Sequence, residues 1–292
     1  MNRREMLRTS AAAAVGAAAF PLGWVGAAEG KKPQKVLYFT RNVGFYHSVV
    51  VRKGGQLSHS EKILTELGKK HGFEVVCSKD GTIFDGDIDQ YDVIAFYCNG
   101  NLTKPNKQKE PPMTPAGAAR LMEAIAGGKG VVGFHSTCNC WGTAGPKKEG
   151  VDPFIHMLGG GFVSHGPQQA ATMKIVSPKF PGMDGLGESF KLHEEWYAMK
   201  EFPRDLHVIL VQETAGMKGG CYQRPPFPST WARMQGKGRV FYTALGHRED
   251  IWTNPLVQQI VLGGLAWALG NVEADVAPNV EKVTPEAWKL KA

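Results

Sequence analysis

Lys35-Val-Leu-Tyr-Phe-Thr40 and Gly130-Val-Val-Gly-Phe-His135 are the two continuous apolar runs that decide the fold of this chain. Apolar runs without polar alternation are typical of strands that are covered on both faces, as strands of a parallel sheet are. Between the two runs, the pattern predicts a helix over 60–71, strands over 73–77 and 91–98, and a helix over 114–126. Because strands that alternate with helices are typical of crossover connections, we expect an α/β fold with a mostly parallel sheet.

The second half of the chain has a less regular pattern. Asp152-Pro153 predicts the start of a short helix, and Asn254-Pro255 predicts the start of a long apolar helix that ends at Gly270. Strands are expected over 170–176, 206–212 and 239–245. Residues 271–292 are interpreted as a C-terminal tail that follows a single domain over 29–270.

Residues 1–28 have the three parts of a secretory signal. Arg3-Arg4 lies in a basic segment of the kind that the twin-arginine translocase reads, an apolar run from Ala11 to Val25 follows, and Gly26-Ala27-Ala28 is a cleavage site of small residues. The alternative is a membrane anchor, but this run is shorter than the roughly 20 residues that a span needs. We expect a periplasmic or secreted domain with no membrane span after the signal is removed.

Composition limits the classes of function. The 292 residues have a net charge of +7, with no long block of like charge and no basic stripe interleaved with aromatic residues, so a nucleic-acid partner is not expected. The five cysteines are an odd number, which leaves at least one free thiol in an oxidising compartment. Cys138-Asn-Cys140 lacks the spacing of a zinc knuckle, and the cysteines do not form a disulfide framework.

Polar residues follow the predicted parallel strands, at the edge where open sheets bind ligands. Three of them are histidines: His47 after the first strand, His135 after the fourth and His247 after the last. Imidazoles that converge there would suit a divalent metal such as Zn, Mn or Fe. His193-Glu194-Glu195-Trp196-Tyr197 adds two carboxylates and Ser164-His165-Gly166 adds a histidine, both without a firm position.

Six segments between residues 35 and 270 together resemble the ThuA-like (trehalose utilisation) family. They are Arg41-Asn-Val-Gly-Phe-Tyr-His47, Tyr91-Asp-Val-Ile with Asn99-Gly100, Gly130-Val-Val-Gly-Phe-His-Ser136, Leu158-Gly-Gly-Gly-Phe, His193-Glu-Glu-Trp-Tyr197 and Gly238-Arg-Val-Phe-Tyr-Thr-Ala-Leu-Gly-His247. The last segment is the most specific of the six.

The resemblance implies a class I glutamine-amidotransferase-like fold, a flavodoxin-like three-layer sandwich. In amidotransferases of that fold, the turn after the equivalent strand carries a nucleophilic cysteine. Here His135 occupies that place, followed by Ser136, and Cys138 and Cys140 come too late in the chain to supply the thiol. We therefore expect no glutaminase chemistry and no cysteine nucleophile.

The family is linked to the catabolism of trehalose-like disaccharides and their 3-keto derivatives, and two routes fit the residues. In the first, His47, His135 and His247 with Glu194 or Glu195 hold one divalent metal, which polarises a sugar carbonyl or hydroxyl. In the second there is no metal, and His135 with Glu194 or Glu195 exchanges protons with a sugar carbon made acidic by a neighbouring ketone. The residues leave both routes open.

A rival interpretation is a sugar-binding or accessory protein without turnover, whose aromatic side chains line a cleft. Either class would bind a small carbohydrate, and the oligomeric state, including a homo-oligomer, stays open. The candidate substrate-binding residues are Arg41, Tyr46, Asn99, Ser136, Trp196, Tyr197 and Arg248.

The signal yields a test of export. Changing Arg3 and Arg4 to Lys together should leave uncleaved precursor in the cytoplasm, because the translocase reads the arginine pair. Fractionation and immunoblotting of producing cells measure this, with Arg8→Lys as the control. Normal export of the double variant would remove the twin-arginine assignment.

Overall fold

The computed structural model describes residues 33–141 and 151–291, so the predicted signal over 1–28 lies outside the described residues. The strands, in chain order, are β1 Gln34–Phe39, β2 Phe73–Ser78, β3 Val93–Phe96, β4 Gly130–Phe134, β5 Gly161–His165, β6 Gln169–Ile175, β7 Ser189–Glu194, β8 Tyr197–Lys200, β9 His207–Gln212, β10 Phe227–Gln235 and β11 Gly238–Thr243. The helices are α1 His59–His71, α2 Pro115–Gly127, α3 Pro153–Leu158, α4 Glu249–Thr253, α5 Pro255–Ala268 and α6 Val280–Val283.

A mixed sheet organises the fold. Its strand order over the described residues is β2-β1-β3-β4-β11-β10-β9-β6-β7. The first five strands pair in parallel, and the last four continue the sheet with antiparallel pairing. The order reverses between β1 and β3, the kind of switch point beside which open α/β sheets bind ligands. β5 and β8 form a separate two-stranded sheet.

The parallel half is buried on both faces, as its apolar runs predict. Val36 and Tyr38 of β1 belong to one apolar core, whereas Leu37 and Phe39 belong to another. Because successive side chains of a strand point to opposite faces, the two cores lie on opposite sides of the sheet. The α/β fold expected from the sequence is confirmed at this level. No helix among the described residues is long and apolar enough to cross a membrane.

Local sequence explains where the principal helices begin. Asn254 and Thr114 cap α5 and α2 through side-chain oxygens that accept backbone N–H groups, and Pro follows each cap as the first helical residue. At α1, Ser58 and Glu61 form a capping box, and Gly72 ends the helix in a left-handed conformation.

Four strands were not expected from the sequence: β5, β7, β8 and β10. β7 is an edge strand whose residues alternate between exposed and partly buried over most of its length, so its apolar signal is weak. β10 contains Pro228, a residue that argues against a central strand in a sequence, and its register with β9 shifts beside this proline. The third predicted strand is also shorter than expected, since β3 spans only Val93–Phe96.

The predicted tail packs against the sheet over the described part of 271–292. Asn279 accepts the backbone N–H of Val208 at 2.6 Å through Oδ1, and Val280 and Ala287 are buried. Pro278 and Pro285 lie on either side of α6 and interrupt regular structure. Apolar residues of α6 and of the segment after it nevertheless pack into the core, with α6 beside β9.

Gly263 and Gly264 lie inside α5, where glycine normally destabilises a helix by about 1 kcal/mol relative to alanine. A Cβ on Gly263 would lie 2.0 Å from the Pro181 carbonyl oxygen, and one on Gly264 would lie 2.5 Å from the Phe241 ring. Close approach of the helix to its neighbours therefore requires both glycines.

The close packing of α5 predicts that a change from Gly to Ala has opposite effects on the free energy of unfolding at two helical positions. Gly263→Ala should lower the free energy of unfolding by about 1–3 kcal/mol, because the backbone of Pro181 must move. Gly127→Ala in α2 should raise the free energy of unfolding by about 0.5–1 kcal/mol, because a Cβ there meets nothing within 4 Å. Urea unfolding of both variants measures the difference, and equal effects would contradict the packing.

Candidate metal and substrate site

The three histidines that follow parallel strands meet at one point. His47 lies in the loop after β1, His135 directly follows β4 and His247 comes four residues after β11. Their ring centroids are 4.9–5.2 Å apart. One potential ligand atom from each histidine and one from Glu195 all lie within 4.8 Å of one another. The carboxyl edge of the sheet therefore carries a His3Glu cluster.

His135 has a backbone conformation that side chains rarely adopt, with φ of +39°. Its ring is nevertheless well oriented, because Nδ1 lies 2.9 Å from the carbonyl oxygen of Ala244. A carbonyl only accepts, so Nδ1 carries the proton and Nε2 keeps a lone pair directed into the cluster. The strained turn after β4 therefore carries an imidazole at its first residue.

His47 is buried and presents Nδ1 to the cluster. Its Nε2 lies 3.2 Å from the hydroxyl of Tyr197, whereas its Nδ1 has no hydrogen-bond partner within residues 33–141 and 151–291. Burial, and then the neighbouring His135 and His247, hold the pKa of His47 well below its ordinary value. The ring is therefore unprotonated at neutral pH, the form that a metal ligand needs.

Glu195 lies in the connection from β7 to β8 and supplies the carboxylate of the cluster. Its Oε2 is 3.0 Å from His247 Nδ1 and 3.5 Å from His135 Nε2. Burial alone would raise the pKa of Glu195, but the imidazoles of His135 and His247 outweigh burial and hold the pKa below its ordinary range. Glu195 is therefore an anion at neutral pH.

Glu194, the second carboxylate expected to be catalytic, is not one of the four residues of the cluster. Its oxygens accept the backbone N–H groups of Glu195, Gly246 and His247 at 2.8–3.1 Å. Burial raises the pKa of Glu194. The side chain is fully enclosed and clamps the two segments that carry Glu195 and His247. These contacts give Glu194 a structural role, and its catalytic role stays a prediction.

His165, at the end of β5, lies beside the cluster at its solvent side. Its Nδ1 is 3.5 Å from Glu195 Oε1 and 3.0 Å from the Gly166 carbonyl oxygen. The hydrogen bond to the carbonyl places the proton on Nδ1 and leaves Nε2 as the basic nitrogen. The side chain is 45% exposed and stacks on Tyr197. The sequence offered this histidine only as a candidate without a position.

Arg248 reaches the cluster indirectly, through Gln168. Arg248 Nη1 donates to Gln168 Oε1 at 2.7 Å, and Gln168 Nε2 lies 3.0 Å from His247 Nε2. With that amide orientation, His247 carries its proton on Nδ1, facing Glu195. A metal on Nδ1 would move this proton to Nε2, and Gln168 would then have to present Oε1 to His247 and give up the hydrogen bond from Arg248.

The remaining predicted substrate-binding residues occupy different environments. Arg41 is buried and donates to the backbone carbonyls of Leu102, Lys104 and Glu110, so it organises a loop instead of facing the cluster. A guanidinium has several donors, which suits it to gather carbonyls of an irregular segment.

Ser136 and Trp196 are also enclosed. Ser136 Oγ donates to the Cys98 carbonyl and Trp196 Nε1 donates to the Gln169 carbonyl. Tyr197 contacts the cluster, with its ring centroid 4.0 Å from that of His135. Tyr46 and Asn99 lie near the same edge, and their role toward a substrate stays a prediction.

Cys138, which lies three residues after His135, is unsuited to nucleophilic chemistry in the folded protein. Cys138 is fully buried, its thiol donates to the His135 carbonyl at 3.3 Å, and burial raises its pKa to about 12. A reactive cysteine needs a lowered pKa and access.

The donor set and its spacing fit one divalent ion. Two ligands of an ion with bonds near 2.1 Å are separated by at most about 4.2 Å, so the 4.8 Å limit asks only for a small inward movement. The inward nitrogens of His47, His135 and His247 have no aligned hydrogen-bond partner among the described residues. Three imidazoles and one carboxylate suit Zn, Mn or Fe.

The fold and site define an α/β protein with a histidine-rich polar centre at the carboxyl edge of its sheet. Residues 35–268 match the trehalose utilisation (ThuA) family, and the chain belongs to that family. No curated protein matches the chain significantly.

Solved structures share the fold. A ThuA-like protein from Bacteroides uniformis is 20% identical, with a TM-score of 0.58 over 84% of this chain and 95% of that chain. One from Parabacteroides merdae is 20% identical, with a TM-score of 0.54 over 88% and 99%. An alpha-L-fucosidase from Paenibacillus thiaminolyticus is 14% identical, with a TM-score of 0.51 over 81% of this chain and 33% of that chain. At these identities the likeness concerns the fold alone.

The cluster predicts stoichiometric metal binding. Protein stripped with chelator should bind one Zn²⁺ or Mn²⁺ per chain in calorimetric titration at pH 7. His135→Ala should weaken binding at least about 100-fold, because it removes an oriented ligand whose tautomer is already set; supporting residues alone typically contribute 10–100-fold.

His156→Ala is the matched control, since His156 is exposed on α3 and is not one of the four residues of the cluster. Binding that is unaffected by His135→Ala, or weakened equally by both changes, would contradict the metal assignment.

Proposed function

We propose that this protein is an exported enzyme of carbohydrate catabolism that acts on a disaccharide or an oxidised (3-keto) sugar with one divalent metal. The observation that carries the proposal is the convergence of His47, His135, Glu195 and His247, with ligand atoms within 4.8 Å of one another. Membership of the trehalose utilisation family supports a sugar as substrate. The class I glutamine-amidotransferase-like, three-layer form of the fold and twin-arginine export are parts of the same proposal.

A metal bound here would polarise a carbonyl or hydroxyl oxygen of the sugar as a Lewis acid. The lowered pKa of Glu195 makes this carboxylate a weak base and a stable anionic ligand. A general base works best with a pKa near the working pH. This comparison favours the metal-assisted route over proton abstraction by Glu195.

His165 is the group best placed to carry a proton. Its ring is partly exposed, its proton sits on the nitrogen that faces Gly166 and Glu195, and its other nitrogen is free to accept one. Imidazole is the side chain most often used as a general acid or base, and the exposure of this ring gives it access to both substrate and solvent. We assign the acid–base role to His165, whereas the sequence predicted that Glu194 or Glu195 would have this role.

Phe45 gives the site an apolar surface for a sugar ring. Its side chain is 62% exposed, and its ring centroid lies 4.8 Å from that of His47. An exposed aromatic ring beside a polar centre matches the usual mix of ligand sites, apolar surface with a few placed polar groups. Phe45 can stack on the face of a pyranose whose oxygens point to the cluster.

The test is conversion of trehalose and 3-ketotrehalose by purified protein, followed by chromatography with and without chelator. We expect turnover of one of these sugars that is lost with chelator and restored by Zn²⁺, Mn²⁺ or Fe²⁺. His165→Ala should lower kcat by about 10²–10⁴-fold with metal retained, the usual contribution of a general acid or base. Phe45→Ala should mainly raise KM.

His156→Ala again serves as the control, with kcat and KM unchanged. Turnover of the sugar that persists in chelator would favour the metal-free route. Sugar binding without any turnover, weakened by Phe45→Ala, would favour the sugar-binding or accessory protein and overturn the proposed enzyme.

A further inference from the structure

Cys98 and Cys140 form a pair that stands apart from the other cysteines. Their sulfur atoms are 2.8 Å apart, and both side chains are fully buried. Non-bonded heavy atoms usually pack at about 3.5–4.0 Å, whereas a disulfide bond is about 2.05 Å long. The two sulfurs therefore face each other at a separation that a small movement would turn into a bond.

The backbone holds the two segments in register around this pair. The residue two after Cys98, Gly100, bridges to Cys140 in parallel pairing. The Gly100 N–H donates to the Asn139 carbonyl at 3.0 Å, and the Trp141 N–H donates to the Gly100 carbonyl at 3.0 Å. The facing thiols thus belong to a built junction between the end of β3 and the turn that follows His135.

The other three cysteines are engaged elsewhere. Cys138 donates to the His135 carbonyl, and Cys77 lies 3.7 Å from Thr65 Oγ1. Cys221 is partly buried beside Tyr222. Since the chain has five cysteines, one bond between Cys98 and Cys140 would leave these three as thiols.

We propose that Cys98 and Cys140 are a disulfide-forming pair that locks the turn carrying His135 to the end of β3. The oxidant is a disulfide donor, either glutathione disulfide or a thioredoxin-like protein. One cysteine thiolate attacks the donor disulfide and releases one donor thiolate, which gives a mixed disulfide. The second cysteine thiolate then attacks the protein sulfur of that mixed disulfide and releases the second donor thiolate.

Two electrons pass to the donor in this exchange, and both thiol protons end on the two donor thiols. Because both sulfurs are enclosed in the folded protein, exchange takes place before the core closes around them. The consequence for the site is direct: Ser136 Oγ already donates to the Cys98 carbonyl at 3.0 Å, and the bond would fix the opposite end of the same turn.

The experiment refolds the full chain from urea in glutathione buffer or in dithiothreitol, then alkylates the denatured protein and maps peptides by mass spectrometry. We expect the glutathione sample to be about 2 Da lighter before alkylation, with three alkylated thiols and a cross-linked peptide joining residues 98 and 140. The dithiothreitol sample should show five alkylated thiols. The oxidised form should also melt several degrees higher.

Cys138→Ser is the control and should keep the cross-link, whereas Cys140→Ser should abolish it. Peptide mapping of the chain without substitutions tests the proposal even if a variant fails to fold. Five alkylated thiols in both samples, or a bond that involves Cys77, Cys138 or Cys221, would overturn the proposal. None of these readouts depends on sugar turnover or metal, so failure here leaves the proposed enzyme untouched.

Discussion

The site depends on the strained backbone of His135. A residue with φ of +39° has a cost of about 1–3 kcal/mol and persists only where its surroundings determine it. Tyr242 donates its hydroxyl to the His135 carbonyl at 2.7 Å, and the ring donates to the Ala244 carbonyl. Both anchors come from β11 or its end, the parallel neighbour of β4. The pairing of β11 with β4 therefore determines the direction in which Nε2 of His135 points.

Two adjacent glutamates show how environment separates identical side chains. Burial raises the pKa of Glu194, although backbone N–H groups donate to its carboxylate. Burial would also raise the pKa of Glu195, but the imidazoles of His135 and His247 outweigh burial and lower it. Glu194 stabilises the fold, and Glu195 supplies a negative charge to the cluster. The two roles are coupled, because Glu194 holds the backbone of Glu195 and of His247. A site carboxylate is thus positioned by its own chain neighbour.

The sequence predicted those parts of the molecule whose cause is local or topological. Apolar runs identified β1 and β4, and the rule that ligands bind at carboxyl ends of parallel strands was enough to bring His47, His135 and His247 together. Nothing local distinguishes Glu195 from Glu194, since the choice follows from which one ends β7. The sequence also did not predict the contacts of Arg41 and Trp196, because their partners are backbone carbonyls remote in the chain.

The side chains in and beside the cluster come from two different parts of the fold. The parallel half supplies the three imidazoles from strand ends that stay close in any sheet of this order. Glu195 directly follows β7 and His165 is the last residue of β5, so both lie outside the parallel strands, where short strands and irregular connections tolerate change. The three imidazoles are therefore tied to the fold, whereas Glu195 and His165 belong to the adaptable part. Differences in chemistry among proteins of this fold should arise first in that second part.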